Sequence, residues 1–241
     1  MDMIAKGGYN WILGTLLFAS AALLLFLLIE QIMFIGISVL LLLADCIFLL
    51  FFRDPKRQAG RGIVSPADGR IISISSSMTE VELRNSHNKT GKKSNQNKYT
   101  DKSHRKSKIK ATRVAIFMSP FNVHVNRSPL AGTVLATVHS HGGFVPAYRH
   151  ESANNERQIT SLKTAIGIIK IIQIAGTFAR RIVPYFHTGQ YLKKGQRIGI
   201  IQFGSRVDLV LPTDKVKVLV KVNDRVLAGT TSIAEIIDNR N

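Results

Sequence analysis

Ile200-Ile201-Gln202-Phe203-Gly204-Ser205-Arg206-Val207-Asp208 places one Gly-Ser peptide bond between two β-type runs. A bare Gly-Ser fits a tight turn or bulge with Gly204 at positive φ. It also fits a second chemistry, because a serine hydroxyl next to an unhindered glycine carbonyl can attack it when the fold strains the bond and supplies a base. The flanking sequence decides between them. Short β-type runs recur outward from this bond, at 63–64, 70–75, 112–118, 132–139, 166–175, 207–211 and 216–222, separated by turn residues. The expected fold class is α+β and mainly β, a barrel or sandwich with little helix. Only 161–175 reads equally well as helix or strand.

Residues 191–205, followed by a strand, the Pro212 turn and the Val216 strand, resemble the half-barrel of lipoyl and biotinyl carrier domains. Carrier domains end that hairpin in a modifiable lysine. Here Gly204-Ser205 takes the place, and no Met-Lys or Asp-Lys dipeptide stands at a hairpin tip. A non-enzymatic, membrane-tethered carrier or adaptor is therefore the alternative reading, and it lacks its key residue.

The N-terminal quarter has a different character. Residues 11–29 are apolar and uncharged, Glu30-Gln31 interrupt, and 32–52 are apolar apart from Asp45. Each run is long enough to cross about 30 Å of hydrocarbon as a helix. The expectation is a transmembrane hairpin over 1–52 followed by a soluble domain over 53–241. Arg53, Lys56, Arg57 and Arg61 follow the second run, so the positive-inside rule puts the domain on the cytoplasmic side of the cell membrane. Asp45 has no basic residue near it within the spans, which favours a role in packing the hairpin.

The formal net charge of +18 is concentrated. Residues 84–110 hold ten Lys/Arg against one acid, Asp101, among Asn, Ser, Thr, Gln and Gly, the composition of a disordered loop. Only Tyr99 supplies an aromatic, so no nucleic-acid partner is expected, and an anionic membrane surface is the simpler attraction. The single cysteine, Cys46, lies in the second apolar run, so no intrachain disulfide or cysteine-based metal site can form. His139 and His141 have strand-face spacing, but no zinc-type partner pattern accompanies them in sequence, and no metal is expected.

Three polar segments carry residue types able to act on the Gly-Ser bond. Ser65-Pro66-Ala67-Asp68-Gly69 puts a carboxylate in a turn. Met118-Ser119-Pro120-Phe121-Asn122-Val123-His124-Val125-Asn126-Arg127-Ser128-Pro129 puts an imidazole between two Ser-Pro pairs, and 148–157 is polar and loop-like. Together with Phe51-Phe52-Arg53-Asp54-Pro55, Asn155-Glu156-Arg157 and Phe203-Gly204-Ser205-Arg206-Val207-Asp208, in that order, the chain closely resembles the pyruvoyl-dependent phosphatidylserine decarboxylases, in particular the short form that includes archaetidylserine decarboxylases. The resemblance runs from Phe51 to about Val222.

It implies a self-processing proenzyme that cuts between Gly204 and Ser205, giving a β chain of 1–204 and an α chain of 205–241 that remain paired without a covalent link. Ser205 becomes a covalent pyruvoyl group, the cofactor, which forms a Schiff base with a serine-headed phospholipid and takes up the electrons left by departing CO2. The product is the ethanolamine phospholipid. Asp68 and His124 are the implied acid/base pair, the imidazole taking the Ser205 proton and the carboxylate orienting it. Longer family members carry two histidines three apart. His124 matches the first position and Arg127 takes the second, which makes Arg127 a candidate for binding substrate carboxylate or phosphate and leaves His150 or His141 as alternative bases.

Overall fold

The computed structural model describes residues 4–5, 8–29, 32–82, 106–143, 155–176, 181–202 and 205–237. His150, Phe203, Gly204 and residues 84–105 of the basic stretch lie outside them. Helices α1 (Gly8–Ile29) and α2 (Ile32–Phe51) pack against each other and are long and apolar enough to cross a membrane by length and composition. Their outer faces carry exposed Leu, Ile and Phe. Their contact face holds small and polar groups: Ala19 and Ala22 are buried, Ser38 Oγ donates to the Ala19 carbonyl (3.1 Å), and Thr15 donates to buried Asp45. At the base the two ends meet, where Ala5 N–H donates to the Phe52 carbonyl (2.7 Å).

Fourteen strands follow among the described residues. They are β1 (Ile63–Val64), β2 (Gly69–Glu82), β3 (Lys106–Met118), β4 (Val125–Arg127), β5 (Gly132–Ser140), β6 (Arg157–Thr164), β7 (Gly167–Ile174), β8 (Ile182–Pro184), β9 (Tyr191–Leu192), β10 (Arg197–Ile201), β11 (Ser205–Pro212), β12 (Val216–Val218), β13 (Arg225–Val226) and β14 (Ser232–Ile236). Eight form the main antiparallel sheet in the order β13-β2-β3-β11-β7-β6-β5-β9, which curls as a half-barrel. Two three-stranded sheets, β1-β14-β12 and β4-β10-β8, complete the domain. Alternation puts Val207, Leu209 and Leu211 of β11 into the principal core with Ile116, Leu162, Ile169 and Ile171.

The ambiguous 161–175 stretch is strand. Thr164 and Gly167 flank a two-residue turn, with Gly167 at φ 104°, and the apolar run on either side folds back as the β6–β7 hairpin. The 191–222 stretch is distributed over all three sheets, β9 and β11 in the main one, β10 beside β4 and β8, and β12 beside β14. Strand β3 starts at Lys106, within the C-terminal end of the basic stretch, where Lys106 to Lys110 pair with Glu82 to Met78. Backbone pairing beyond the edge of β11, whose last partner in β3 is Ala111, needs no apolar pattern, so composition could not disclose it.

Candidate active site

Ser205 is the first residue of β11, pairs across from Met118 at the end of β3, and is fully buried. It faces the core side with Val207 and Leu209. Arg206 and Asp208 face the other side and pair with each other through Arg206 Nε (2.6 Å) and Nη2 (3.0 Å). Among the described residues the Ser205 Oγ has no hydrogen-bond partner. A buried hydroxyl left unpaired costs about 1–3 kcal/mol.

His124 reaches the same region from the loop after β3. Asn122 Oδ1 accepts from Ser119 N–H (2.8 Å), which tightens the turn, and His124's carbonyl accepts from Ile201 N–H (3.4 Å), four residues before Ser205. The imidazole is fully buried, neither nitrogen has a well-formed hydrogen bond among the described residues, and the Phe51 ring lies over it with centroids 4.1 Å apart. Burial pushes its pKa down to about 4, against the opposing pull of the nearby Asn122 backbone; Arg53 lowers it further and Asp68 opposes. The ring is therefore neutral at pH 7 and able to accept a proton.

Asp68 is buried in the turn that starts β2, where Ser65 Oγ donates to the Ala67 carbonyl (2.6 Å). The next residue must be glycine: Gly69 has φ 153°, and a Cβ there would meet the Phe117 carbonyl oxygen at 2.0 Å. Both Asp68 oxygens are engaged by Arg57, one of them at 2.8 Å, and Oδ1 also accepts from Ala228 N–H (2.7 Å). The hydrogen bond to Asp68 raises the Arg57 pKa above its usual value, with burial opposing. Asp68 thus acts on His124 through space, its own hydrogen bonds going to Arg57 and Ala228.

Arg127 is buried on β4. Its Nη2 donates to Asp54 (2.8 Å) and to the Pro55 carbonyl (3.0 Å), and Nη1 donates to the Gly195 carbonyl (3.2 Å). Burial lowers its pKa, with Asp54 opposing most strongly, and Arg197 also pairs with Asp54. The guanidinium that sequence reading offered to the substrate is here fastening the segment after α2 to β4.

Sequence reading missed five contributors. Arg57 read as a topology marker, and it clasps Asp68. Phe51 read as the end of a span, and it covers His124. Asn126 and Gln173 form a buried polar chain with Gln158, since Gln158 Nε2 donates to Gln173 Oε1 (3.1 Å), Gln173 Nε2 to Asn126 Oδ1 (2.8 Å), and Asn126 Nδ2 contacts Met118 Sδ (3.5 Å). The only sequence signal for the chain was polar residues inside apolar strand runs. Gln173 pairs with Val207, two residues from Ser205. Beside this end lies a cavity of about 650 Å³ lined by Asn10 and Trp11 of α1, Arg181, Tyr185, His187 and Gln202, among others. His141, an alternative base, is exposed.

A buried serine and a neutral imidazole at one end of a β sheet, walled by the root of an apolar helix pair, define an enzyme-type domain built onto its own apolar base. The family model described as phosphatidylserine decarboxylase matches residues 45–234. A phosphatidylserine decarboxylase proenzyme of Streptomyces coelicolor is 43% identical over 231 residues, 95% of this chain and 91% of that protein. Two archaeal relatives, each named "Putative archaetidylserine decarboxylase proenzyme", come from Archaeoglobus fulgidus, 35% identical over 95% of this chain and 94% of its own, and from Methanosarcina acetivorans, 33% identical over 99% of both. The chain belongs to the phosphatidylserine decarboxylase family, whose members are made as proenzymes.

Proposed function

We propose that this chain is a membrane-anchored, self-processing decarboxylase that converts phosphatidylserine or archaetidylserine to the ethanolamine phospholipid and CO2. The observation that carries the reading is that, within this family, a buried Ser205 hydroxyl at the β3–β11 end of the main sheet and a buried, neutral His124 imidazole in the loop after β3 lie in one chain. His124 takes the Ser205 Oγ proton as the oxygen adds to the Gly204 carbonyl carbon. The amide nitrogen leaves with a proton, giving an ester. Loss of the α-proton at residue 205 then breaks the Cβ–O bond, releases the Gly204 carboxylate, and leaves an enamine. Water hydrolyses it to a ketone with loss of ammonia, so 1–204 and 205–241 become separate but paired chains.

The enclosed position of Ser205, at the buried start of β11, fits a pyruvoyl group, which retains the Cβ and carbonyl of residue 205 and not its Oγ. That group supplies a carbonyl electron sink for the electrons released when the head group loses CO2. Arg57 holds Asp68, whose negative charge favours the His124 cation formed transiently. The buried Gln158-Gln173-Asn126 chain keeps the floor of the site rigid. Arg127 stays with Asp54 as a positioning residue. The cavity lined by Trp11, Arg181 and Gln202 admits the head group, with Arg181 placed to meet the phosphodiester.

Helices α1 and α2 span the cell membrane, Arg53 to Arg61 place the domain on the cytoplasmic side, and the basic 84–110 stretch adds attraction to anionic lipid. The test is turnover in detergent-solubilised protein supplied with serine phospholipid labelled at the carboxyl carbon. Labelled CO2 should be released, and borohydride added during turnover should attach the lipid amine to the 205–241 chain. Absence of labelled CO2 from fully processed protein overturns the assignment.

A further inference from the structure

The register of the main sheet brings three distant side chains together on the face that Ser205 occupies. Arg206 pairs with Ile174, so the next rung sets Ser205 opposite Ala175. Ala175 N–H in turn donates to the Glu156 carbonyl (2.9 Å), and Ser140 pairs with Arg157, which brings His141 opposite Glu156. One row therefore runs Ser205, Ala175, Glu156, His141 across β11, β7, β6 and β5. The adjacent row runs Val207, Gln173, Gln158, His139. Residues directly opposite on paired strands project to the same face, so His139, His141 and Glu156 lie on the Ser205 side. At about 4.8 Å per strand, Glu156 stands roughly 10 Å from Ser205.

The three side chains converge. His139 Nε2 lies 3.3 Å from Glu156 Oε1, the two imidazole rings are 5.0 Å apart, and one ligand atom from each residue falls within 4.8 Å of the others. Ligands at about 2.1 Å around a tetrahedral ion are about 3.4 Å from each other, so the His139–Glu156 pair is already at coordination spacing. The remaining contraction falls on His141, which is exposed and free to adjust its rotamer. Two imidazoles and one carboxylate are a borderline-soft donor set suited to zinc and its first-row neighbours, and unsuited to calcium or magnesium.

We propose that His139, His141 and Glu156 form a zinc-type metal site that links the end of β5 to the start of β6 and leaves its fourth position open on the Ser205 side of the sheet. The reading of 139–141 from sequence lacked a third ligand because Glu156 is fifteen residues on in the chain and comes adjacent only through the β5–β6 register. The site is separate from Ser205, His124 and Asp68, and no step of self-cleavage uses it.

The test is metal binding by the full chain in detergent after chelator treatment. Cobalt(II) should bind one per chain and give the intense visible bands of a tetrahedral ion, and zinc should displace it. H139A/H141A should abolish those bands. E156Q should weaken binding by about tenfold or more, since even outer-sphere partners contribute that much. Because His139 and His141 are exposed, all variants should unfold at the wild-type temperature without metal, and zinc should raise only the wild-type temperature appreciably. Absence of stoichiometric cobalt binding in the wild type, or bands that persist in H139A/H141A, overturns the proposal.

Discussion

Phe51, the last residue of α2, lies over His124 with ring centroids 4.1 Å apart, so the root of the apolar hairpin is a wall of the candidate active site. The same short segment continues the work. Phe52 packs with Val123, Val125 and Ile200, Arg53 donates to the Phe121 carbonyl (2.6 Å), Asp54 holds Arg127, and Arg57 holds Asp68. The apolar helix pair and the candidate site are thus one packed unit.

Phe51→Ala should admit water to His124. The imidazole pKa should rise from about 4 towards its ordinary 6.5, because burial is the largest cause of its depression. Removing a buried Phe should also destabilise the protein by about 3–5 kcal/mol. Histidine-selective NMR titration reads the first effect and denaturant unfolding the second. An unmoved His124 titration would mean that Phe51 does not control its solvation.

The pH dependence has a defined sign. His124 titrates lower in the folded chain than in the unfolded one, so the unfolded state binds the extra proton between pH 6.5 and about 4, and stability falls as pH drops through that window. The full effect is on the order of 3 kcal/mol. Self-cleavage limited by neutral His124 should stay level from pH 7.5 to 5.5 and decline only as pH approaches 4. A decline centred near 6.5 would contradict His124 as the base.

Arg57→Ala strands the buried Asp68 carboxylate and should cost about 3–5 kcal/mol. Arg57→Lys keeps one charge but loses the two-pronged geometry, and should recover only part of that stability. Chemical denaturation of the unprocessed Ser205→Ala background separates these losses from any change caused by chain cleavage. An Arg57→Lys variant as stable as the wild type would show that the two-pronged geometry at Asp68 is irrelevant.

Asn126→Leu breaks the buried polar chain and leaves Gln173 Nε2 without its acceptor. The expected cost is about 1–3 kcal/mol. The Asn126→Leu/Gln173→Leu pair should be less damaging than the sum of the two single changes, since it removes both ends of the same bond. Strict additivity in a double-mutant cycle would contradict the coupling.

The two apolar helices and the mainly β domain were legible because each is written locally, as an apolar run or an alternating strand, and the polar turns that hold Asp68 and His124 could be picked out the same way. Roles set by distant pairing were not. Arg57 looks the same in sequence as Arg53 and Arg61, and only the fold delivers it to Asp68, eleven residues away. Arg127 sits in a polar motif, and its guanidinium donates to Asp54, a partner 73 residues earlier that the sequence gives no reason to single out. The hairpin β6–β7 was ambiguous because Ile-rich runs bury equally well as helix or strand, and the two-residue turn at 165–166 decided it.

The most direct test of self-processing at Gly204-Ser205 is the intact mass of freshly synthesised wild-type and Ser205→Ala chains. The account predicts two species from the wild type, 1–204 and a 205–241 chain whose N-terminus carries a ketone and no amine, and one uncut species from Ser205→Ala. A wild-type chain that remains full length while releasing CO2 from serine phospholipid, or a Ser205→Ala chain that is still cut, would contradict it.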